Sequence, residues 1–262
     1  MQQFESHGAC VFYSQNPGPF EISDTSKPLV IWAHGWGQSH ASFLPLIQSL
    51  QNKANHIALD LPGFGKSPVP PEHWGTQDYA DAVAGWLKAA NAPPVIWVGH
   101  SFGCRVGVRL AARYPELVNS MVLIAGAGLK RKRPLPKKIY LYARIRLFKF
   151  LRKFVPDGDF KDRLMRAFGS TDYKNAGALR TIFIRTVNED LSAVAKKIKS
   201  PVALIYGEND TETPPEFGER YSRLIPQSEF FLLERQDHYS VLSTGRHPVI
   251  KILSDALKKD TK

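Results

Sequence analysis

Cysteine is scarce in this 262-residue chain. There are two, Cys10 and Cys104, and no Cys-x-x-Cys pair. That excludes a disulfide framework and a structural zinc site of the usual spacing. No apolar stretch reaches the length of a membrane span, about 20 residues. Met1 to Gln15 has neither a basic n-region nor a long apolar run. No signal peptide is therefore expected, and a reducing cytoplasm is the default compartment. The chain also lacks a dinucleotide fingerprint, a phosphate loop, a metal-ligand cluster, an internal repeat and a low-complexity linker, so no cofactor is implied. The last absence is of one sign of charge. From Lys130 to Lys153 there are eleven Lys or Arg and no Asp or Glu. The remaining 24 basic residues are balanced by 24 acidic ones, so the formal net charge of +11 resides in that one segment.

What is present is an ordinary soluble composition, 43% hydrophobic and 23% charged. A chain of this length builds a sizeable core without disulfide or metal. Gln2 to Ser6 and Ala9 to Tyr13 read as an edge hairpin turning at Gly8, and Asn16-Pro17-Gly18-Pro19 as a second turn. Apolar runs at Leu29–Ala33, His56–Leu59, Pro94–Val98 and Met121–Ala125 read as buried strands. Helical spacing falls between them, over Ser42–Leu50, Thr76–Ala90 and Cys104–Tyr114. Such alternation implies a mostly parallel sheet with helices on both faces. After Gly128 the pattern becomes helical only, over Pro134–Phe154, Phe160–Phe168 and Gly177–Val187. Strand and helix resume with Pro201–Tyr206, Pro215–Leu224, Glu229–Leu233 and Pro248–Lys258. The expected organisation is an α/β core over 1–127 and 197–262, interrupted by an all-helical insertion over 128–196.

The stretch Val98-Gly99-His100-Ser101-Phe102-Gly103 lies where an apolar strand meets a helix. In that context Gly-x-Ser-x-Gly marks a tight turn that holds the serine in a strained backbone and exposes its hydroxyl above a helix N-terminus. Side chains two residues before and after the serine would collide across the turn, which accounts for Gly99 and Gly103.

Four motifs stand in order along the chain: His34-Gly35-Trp36-Gly37, Gly99-His100-Ser101-Phe102-Gly103, Gly207-Glu208-Asn209-Asp210 and Asp237-His238. With them the sequence resembles the α/β-hydrolase superfamily over essentially its whole length. The insertion looks like that family's cap, or lid. The Trp after His-Gly is similar to carboxylesterases such as the pimeloyl-carrier-protein methyl esterases. Ser at the nucleophile position argues against the haloalkane dehalogenases and epoxide hydrolases, which use Asp there.

A serine hydroxyl needs a base to take its proton and an acid to orient that base. The family order is Ser, then Asp or Glu, then His. That order makes His238, after the last core strand, the preferred base, with His247 the other late candidate. Asp210, just past Pro201–Tyr206, is the preferred acid, and it also reads as a turn or cap residue before Thr213. Glu208 is the reserve, and Asp237 is poorly placed. By resemblance, the backbone N–H groups of Trp36 and Phe102 form the oxyanion hole. Asp60 to Ser67 reads as structural, with Gly63 and Gly65 as turn residues.

The resemblance implies a serine esterase or thioesterase cleaving a small acyl ester or thioester through Ser101, His238 and Asp210. Two alternatives stand beside it: a carbon–carbon bond hydrolase on the same residues, and a non-catalytic ligand-binding protein on a hydrolase fold. The basic insertion reads as a solvated face, a dock for an acidic carrier protein, or a contact with an anionic membrane through its interleaved aromatics. No recognition motif supports nucleic acid.

Overall fold

A computed structural model describes residues 2–6, 9–16, 26–132 and 171–260, with scattered residues from 135 to 150. Eight strands form one sheet: β1 (Gln2–Ser6), β2 (Ala9–Asn16), β3 (Leu29–Ala33), β4 (Asn55–Asp60), β5 (Val95–His100), β6 (Val118–Ile124), β7 (Val202–Gly207) and β8 (Ser228–Leu233). Their order is β1-β2-β4-β3-β5-β6-β7-β8. β1 and β2 pair antiparallel at one edge, and the other six strands run parallel. The alternation of strands and helices implied this mostly parallel sheet, and the resemblance of the four motifs implied its architecture.

Helices cover both faces: α1 (Leu44–Leu50), α2 (Thr76–Ala89), α3 (Phe102–Arg113), α4 (Thr171–Asn175), α5 (Arg180–Asn188), α6 (Ser192–Ala195), α7 (Pro215–Leu224) and α8 (Arg246–Asp260). Each central strand divides its side chains between two cores, as the two-residue period requires. Ile31, Trp97, Leu123 and Leu204 join α2, α3 and α7 on one face. Trp32, Val98, Val122 and Ile205 join α1 and α8 on the other. Burial on both faces explains why these strands are apolar without alternation.

Some boundaries differ from the sequence reading. The helix expected from Ser42 starts as a 3-10 turn, His40–Phe43, whose first turn is capped by Ser39, and becomes α1 at Leu44. Pro45 is tolerated there because the N–H it lacks has no partner in a first helical turn. β5 runs on to His100, and α3 begins at Phe102 rather than Cys104. One residue, Ser101, makes the whole reversal, with φ 47° and ψ −101°. β6 starts earlier than expected, at Val118. The readings at 17–19, at 160–168 and over much of 134–154 fall outside the described residues; within the last, residues 135, 136, 139, 140, 142, 143, 146, 147 and 150 are helical.

The α5–α6 region is anchored to the sheet domain by polar contacts. Glu189 accepts hydrogen bonds from the N–H and hydroxyl of Thr76 at the start of α2, and lies 3.6 Å from the Arg109 guanidinium of α3. Arg185 donates to the His73 carbonyl.

The tightest constraint lies between α3 and β3. A Cβ at Gly103 would stand 1.9 Å from the Ala33 carbonyl oxygen, and one at Gly99 2.8 Å from the Gly103 backbone. Gly99 therefore faces across the turn as expected, whereas Gly103 is required by β3. At Gly177, with φ 48° and nothing within 4 Å of its missing Cβ, a side chain would be strained by conformation alone. Gly177→Ala should cost about 1–2 kcal/mol. Gly103→Ala should cost more, because backbone must move, and should lower the melting temperature by well over the ~2–4 °C that 1 kcal/mol represents in a chain of this size. Thermal melts of the two variants check the order.

Candidate active site

Three loops meet at the carboxyl ends of the parallel strands: 34–38 after β3, the Ser101 turn after β5, and 208–213 after β7. A fourth, 234–239, follows β8. Ser101 occupies the strained turn, a conformation uncommon for any residue but glycine. The N–H groups of Trp36 and Phe102 donate no hydrogen bond among the described residues. An unpaired N–H at the first helical position is expected, since the first turn of a helix has no internal acceptors. The Trp36 ring packs against Phe64, Phe102 and, on α5, Phe183, with centroids 4.9, 5.3 and 5.0 Å away. Trp36 thus links the loops after β3 and β4 and the start of α3 to α5.

Asp210 and His238 come together although 28 residues separate them: His238 Nδ1 lies 2.8 Å from Asp210 Oδ2. Both residues are buried, at 3% and 4% exposure. The other carboxylate oxygen accepts from the N–H groups of Glu212 and Thr213, each at 2.8 Å. Asp210 therefore shapes its own loop and holds the imidazole as well. Burial alone would push its carboxyl up, but the hydrogen bond and charge of His238 and the bonds from Thr213 outweigh that and hold it below the usual range.

Thr213 is a residue that the sequence reading passed over. Its hydroxyl lies 2.8 Å from Asp210 Oδ2, 3.0 Å from the Ala125 carbonyl and 3.1 Å from His238 Nδ1. It ties the end of β6 to the Asp–His pair. The signal available in sequence was an Asx-type spacing, Asp210 to Thr213, which reads as a turn and says nothing of the histidine.

Glu208 instead accepts from the Arg235 N–H. Asp237 is exposed and accepts from the N–H groups of Tyr239 and Ser240. His247 is on α8, bordering a separate cavity with Pro45 and Leu242. No hydrogen bond joins the Ser101 hydroxyl to His238 among the described residues. The outer imidazole nitrogen, Nε2, faces Glu212 instead, whose Oε2 is 3.5 Å away.

Two further histidines serve the framework. His34 points Nδ1 at the Gly35 carbonyl, 2.7 Å, and its Nε2 accepts from the Leu61 N–H, 3.0 Å. Those two bonds suit one neutral tautomer. His100 Nε2 donates to the His238 carbonyl at 2.9 Å, and its other nitrogen lies 3.0 Å from the side-chain amide of Gln38, whose Oε1 accepts from the Gly35 N–H. It links the loop carrying His238 to the loop carrying Trp36. At the end of β4, Asp60 accepts from the N–H groups of His40 and Lys66, and a Cβ at Gly65 would overlap its carboxylate. This matches the structural role expected for Asp60–Ser67. Cys104 is buried, directs Sγ at the Gly99 carbonyl at 3.1 Å, and has its thiol pushed up by burial.

A cavity of about 510 Å³ opens beside this cluster, bordered by Trp36, Gln38, Phe64, Asp172, Leu179 and Tyr239. Tyr239 packs edge-on to His238, centroids 5.1 Å apart, and Trp36 adjoins Phe102, so the cavity reaches the neighbours of both His238 and Ser101. Burial raises the Asp172 carboxyl, against a weaker pull from His238.

Comparison with known proteins now bears on the chain. The profile of the α/β-hydrolase fold family matches residues 28–167. The chain belongs to that family. The hydrolase is 31% identical over 257 residues to an uncharacterized hydrolase, YugF, of Bacillus subtilis (strain 168), covering 91% of each chain. It is 28% identical over 236 residues to 2-(acetamidomethylene)succinate hydrolase of Mesorhizobium japonicum, covering 82% of each. It is 30% identical over 230 residues to a pimeloyl-[acyl-carrier protein] methyl ester esterase of Neisseria meningitidis serogroup B, covering 80% of this chain and 85% of the other. With relatives of this kind, this α/β-hydrolase is an enzyme. Among the described residues, no helix is long and apolar enough to cross a membrane.

The buried histidines set a pH limit on the hydrolase fold. Burial lowers His34 to about 4 and His100 to about 3. An unfolded imidazole titrates near ~6.5. Between those values the unfolded chain binds protons that the folded chain refuses. The stability is full above about 6.5 and is lost as pH falls through the folded values. Melting temperature should decline between about pH 6.5 and 4.5, before most carboxylates titrate. A flat profile over that window contradicts the neutral imidazoles.

Proposed function

We propose that the hydrolase is a serine esterase or thioesterase working through an acyl-enzyme. The buried Asp210–His238 pair, tied through His100 to the strained Ser101 turn, is the observation that carries the reading. Ser101 attacks the carbonyl carbon, His238 takes the hydroxyl proton, and Asp210 keeps the ring oriented and offsets its charge. The Trp36 and Phe102 N–H groups receive the developing oxyanion. His238 then protonates the leaving alcohol or thiol. Water, deprotonated by the same imidazole, releases the acid and restores Ser101. Residues 128–196 act as the cap on a core of 1–127 and 197–262, and substrate binds between them.

Carbon–carbon bond hydrolysis by the same three residues is the second reading. It is kept because one relative is named for 2-(acetamidomethylene)succinate rather than for an ester. A chain-length series of esters and thioesters, run beside a diketone acid, separates the two.

For partners, an acidic carrier protein fits Lys130–Lys153, and the carrier in the name of the esterase relative supports it. Leu135, Ile139, Tyr140, Tyr142, Leu147 and Phe150 are exposed in the same stretch and would provide its apolar contacts. Reversing Lys132, Arg133, Lys137 and Lys138 to Glu should reduce turnover of a carrier-bound ester and spare a small neutral one. Loss on anionic vesicles instead would assign the surface to a membrane. Equal effects on every substrate would leave it a solvated face.

Ser101→Ala and His238→Ala should each cost about a thousandfold or more in kcat, with Asp210→Asn costing less. The losses should be far from additive, since the three act as a unit. Steady-state kinetics on one ester checks this; an active His238→Ala and a silent His247→Ala would reassign the base.

A further inference from the structure

The charge beside the site is opposite in sign to that of the basic stretch Lys130–Lys153. Asp172 is the one charged side chain among the described residues bordering the cavity beside Trp36. Glu212 places its carboxylate 3.5 Å from the outer nitrogen of His238, on the side away from Asp210. Tyr239 borders the cavity with Asp172, and the carboxylates of Glu212 and Asp172 add to burial in raising its phenol. Arg131, which reaches that loop from the segment after β6, directs its guanidinium to the carbonyls of Thr211 and Glu212. An anionic group entering here would meet Asp172 on the cavity wall and, at His238, Glu212, with no compensating Lys or Arg among the described residues lining the cavity.

We propose that Glu212 and Asp172 are specificity-determining residues that exclude negative charge near the scissile bond. The substrate class is then an ester or thioester whose acyl part is neutral or bears an ammonium group. The aromatic faces of Trp36 and Tyr239 on the same cavity suit either, an alkyl chain by burial or an ammonium by cation–π attraction. This rests on the proposed serine chemistry and adds the sign of the charge it accepts. It also bears on the two readings above, because a diketone acid carries the charge that these residues oppose.

The test uses three 4-nitrophenyl phosphonates matched in chain length: one neutral, one ending in a carboxylate and one ending in trimethylammonium. Each reacts by forming the Ser101 Oγ–P bond as the P–O bond to nitrophenol breaks. Nitrophenolate leaves and His238 takes the hydroxyl proton. The full-length protein is used, with the rate read from nitrophenolate release and the modified peptide identified by mass. The carboxylate probe should react at least about tenfold more slowly than the neutral one at low salt, and the ammonium probe at least as fast as the neutral one. Added salt should narrow the gap, because exposed charges are screened over about 8 Å at physiological ionic strength. Glu212→Gln and Asp172→Asn, singly and together, should raise the carboxylate-to-neutral rate ratio severalfold. Reading a ratio protects the result against a general loss of activity in either variant. Equal rates for the three probes at Ser101, or a ratio unmoved by the double substitution, would overturn the proposal and leave the serine chemistry standing. Failure of every probe to label Ser101 would overturn the serine chemistry itself, and this proposal with it.

Discussion

The site depends on how closely the first turn of α3 approaches the end of β3. The Gly103 N–H donates to the His34 carbonyl at 3.0 Å, and no side chain fits between Gly103 and Ala33. That contact fixes the Ser101 turn against the 34–37 loop. Around it the arrangement is over-determined: the Ser101 N–H donates to the Ile124 carbonyl, and the Cys104 thiol to the Gly99 carbonyl. Holding a serine at φ 47° costs of order 1–3 kcal/mol, and it persists because these partners leave the chain no other path.

From this junction, rigidity spreads through buried neutral groups. His34 bonds to both the 34–37 loop and the loop after β4. His100 reaches the His238 carbonyl, so the histidine proposed as base is placed by its own backbone as well as by Asp210. Thr213 then closes the circuit to Ala125, which sits in a positive-φ conformation, 48°, at the end of β6. The price of burying so many polar groups is offset by pairing nearly all of them. That is a framework suited to holding a carboxylate and an imidazole in one orientation while a substrate comes and goes.

The sheet was legible because each central strand is buried on both faces, so apolar runs such as Leu29–Ala33 and Val202–Tyr206 stand out without any period. The placement of Ser101, Asp210 and His238 at one end of the sheet was legible for a different reason: each follows a strand end, and strand ends are where a parallel sheet gathers its loops. Thr213, Glu212, Asp172 and Gln38 were not. Gln38 bonds to a histidine 62 residues away, and Thr213 to a carbonyl 88 residues away. No local pattern encodes such pairings, since a polar residue in a loop looks the same whether it faces solvent or a buried imidazole. The helix after Ser101 was placed two residues late for a related reason. Glycine in Gly-x-Ser-x-Gly reads as turn, whereas Gly103 is already helical and is needed for close packing.

On the proposed reading, the two charged regions address different parts of one substrate. The basic stretch begins against the site: Arg131 holds the 211–212 carbonyls and Arg220 the Lys130 carbonyl. Its cations therefore start at the loop that carries Glu212. A uniform basic field would draw any anion, including the free acid that hydrolysis releases. Carboxylates beside the site reverse the sign of the field over a few ångströms. An acidic carrier would be attracted outside while its neutral chain enters, and the carboxylate product would meet Glu212 and Asp172 as soon as it forms. The same two residues would then favour release of the acid as well as select the ester, which gives the opposed charges a common use in turnover.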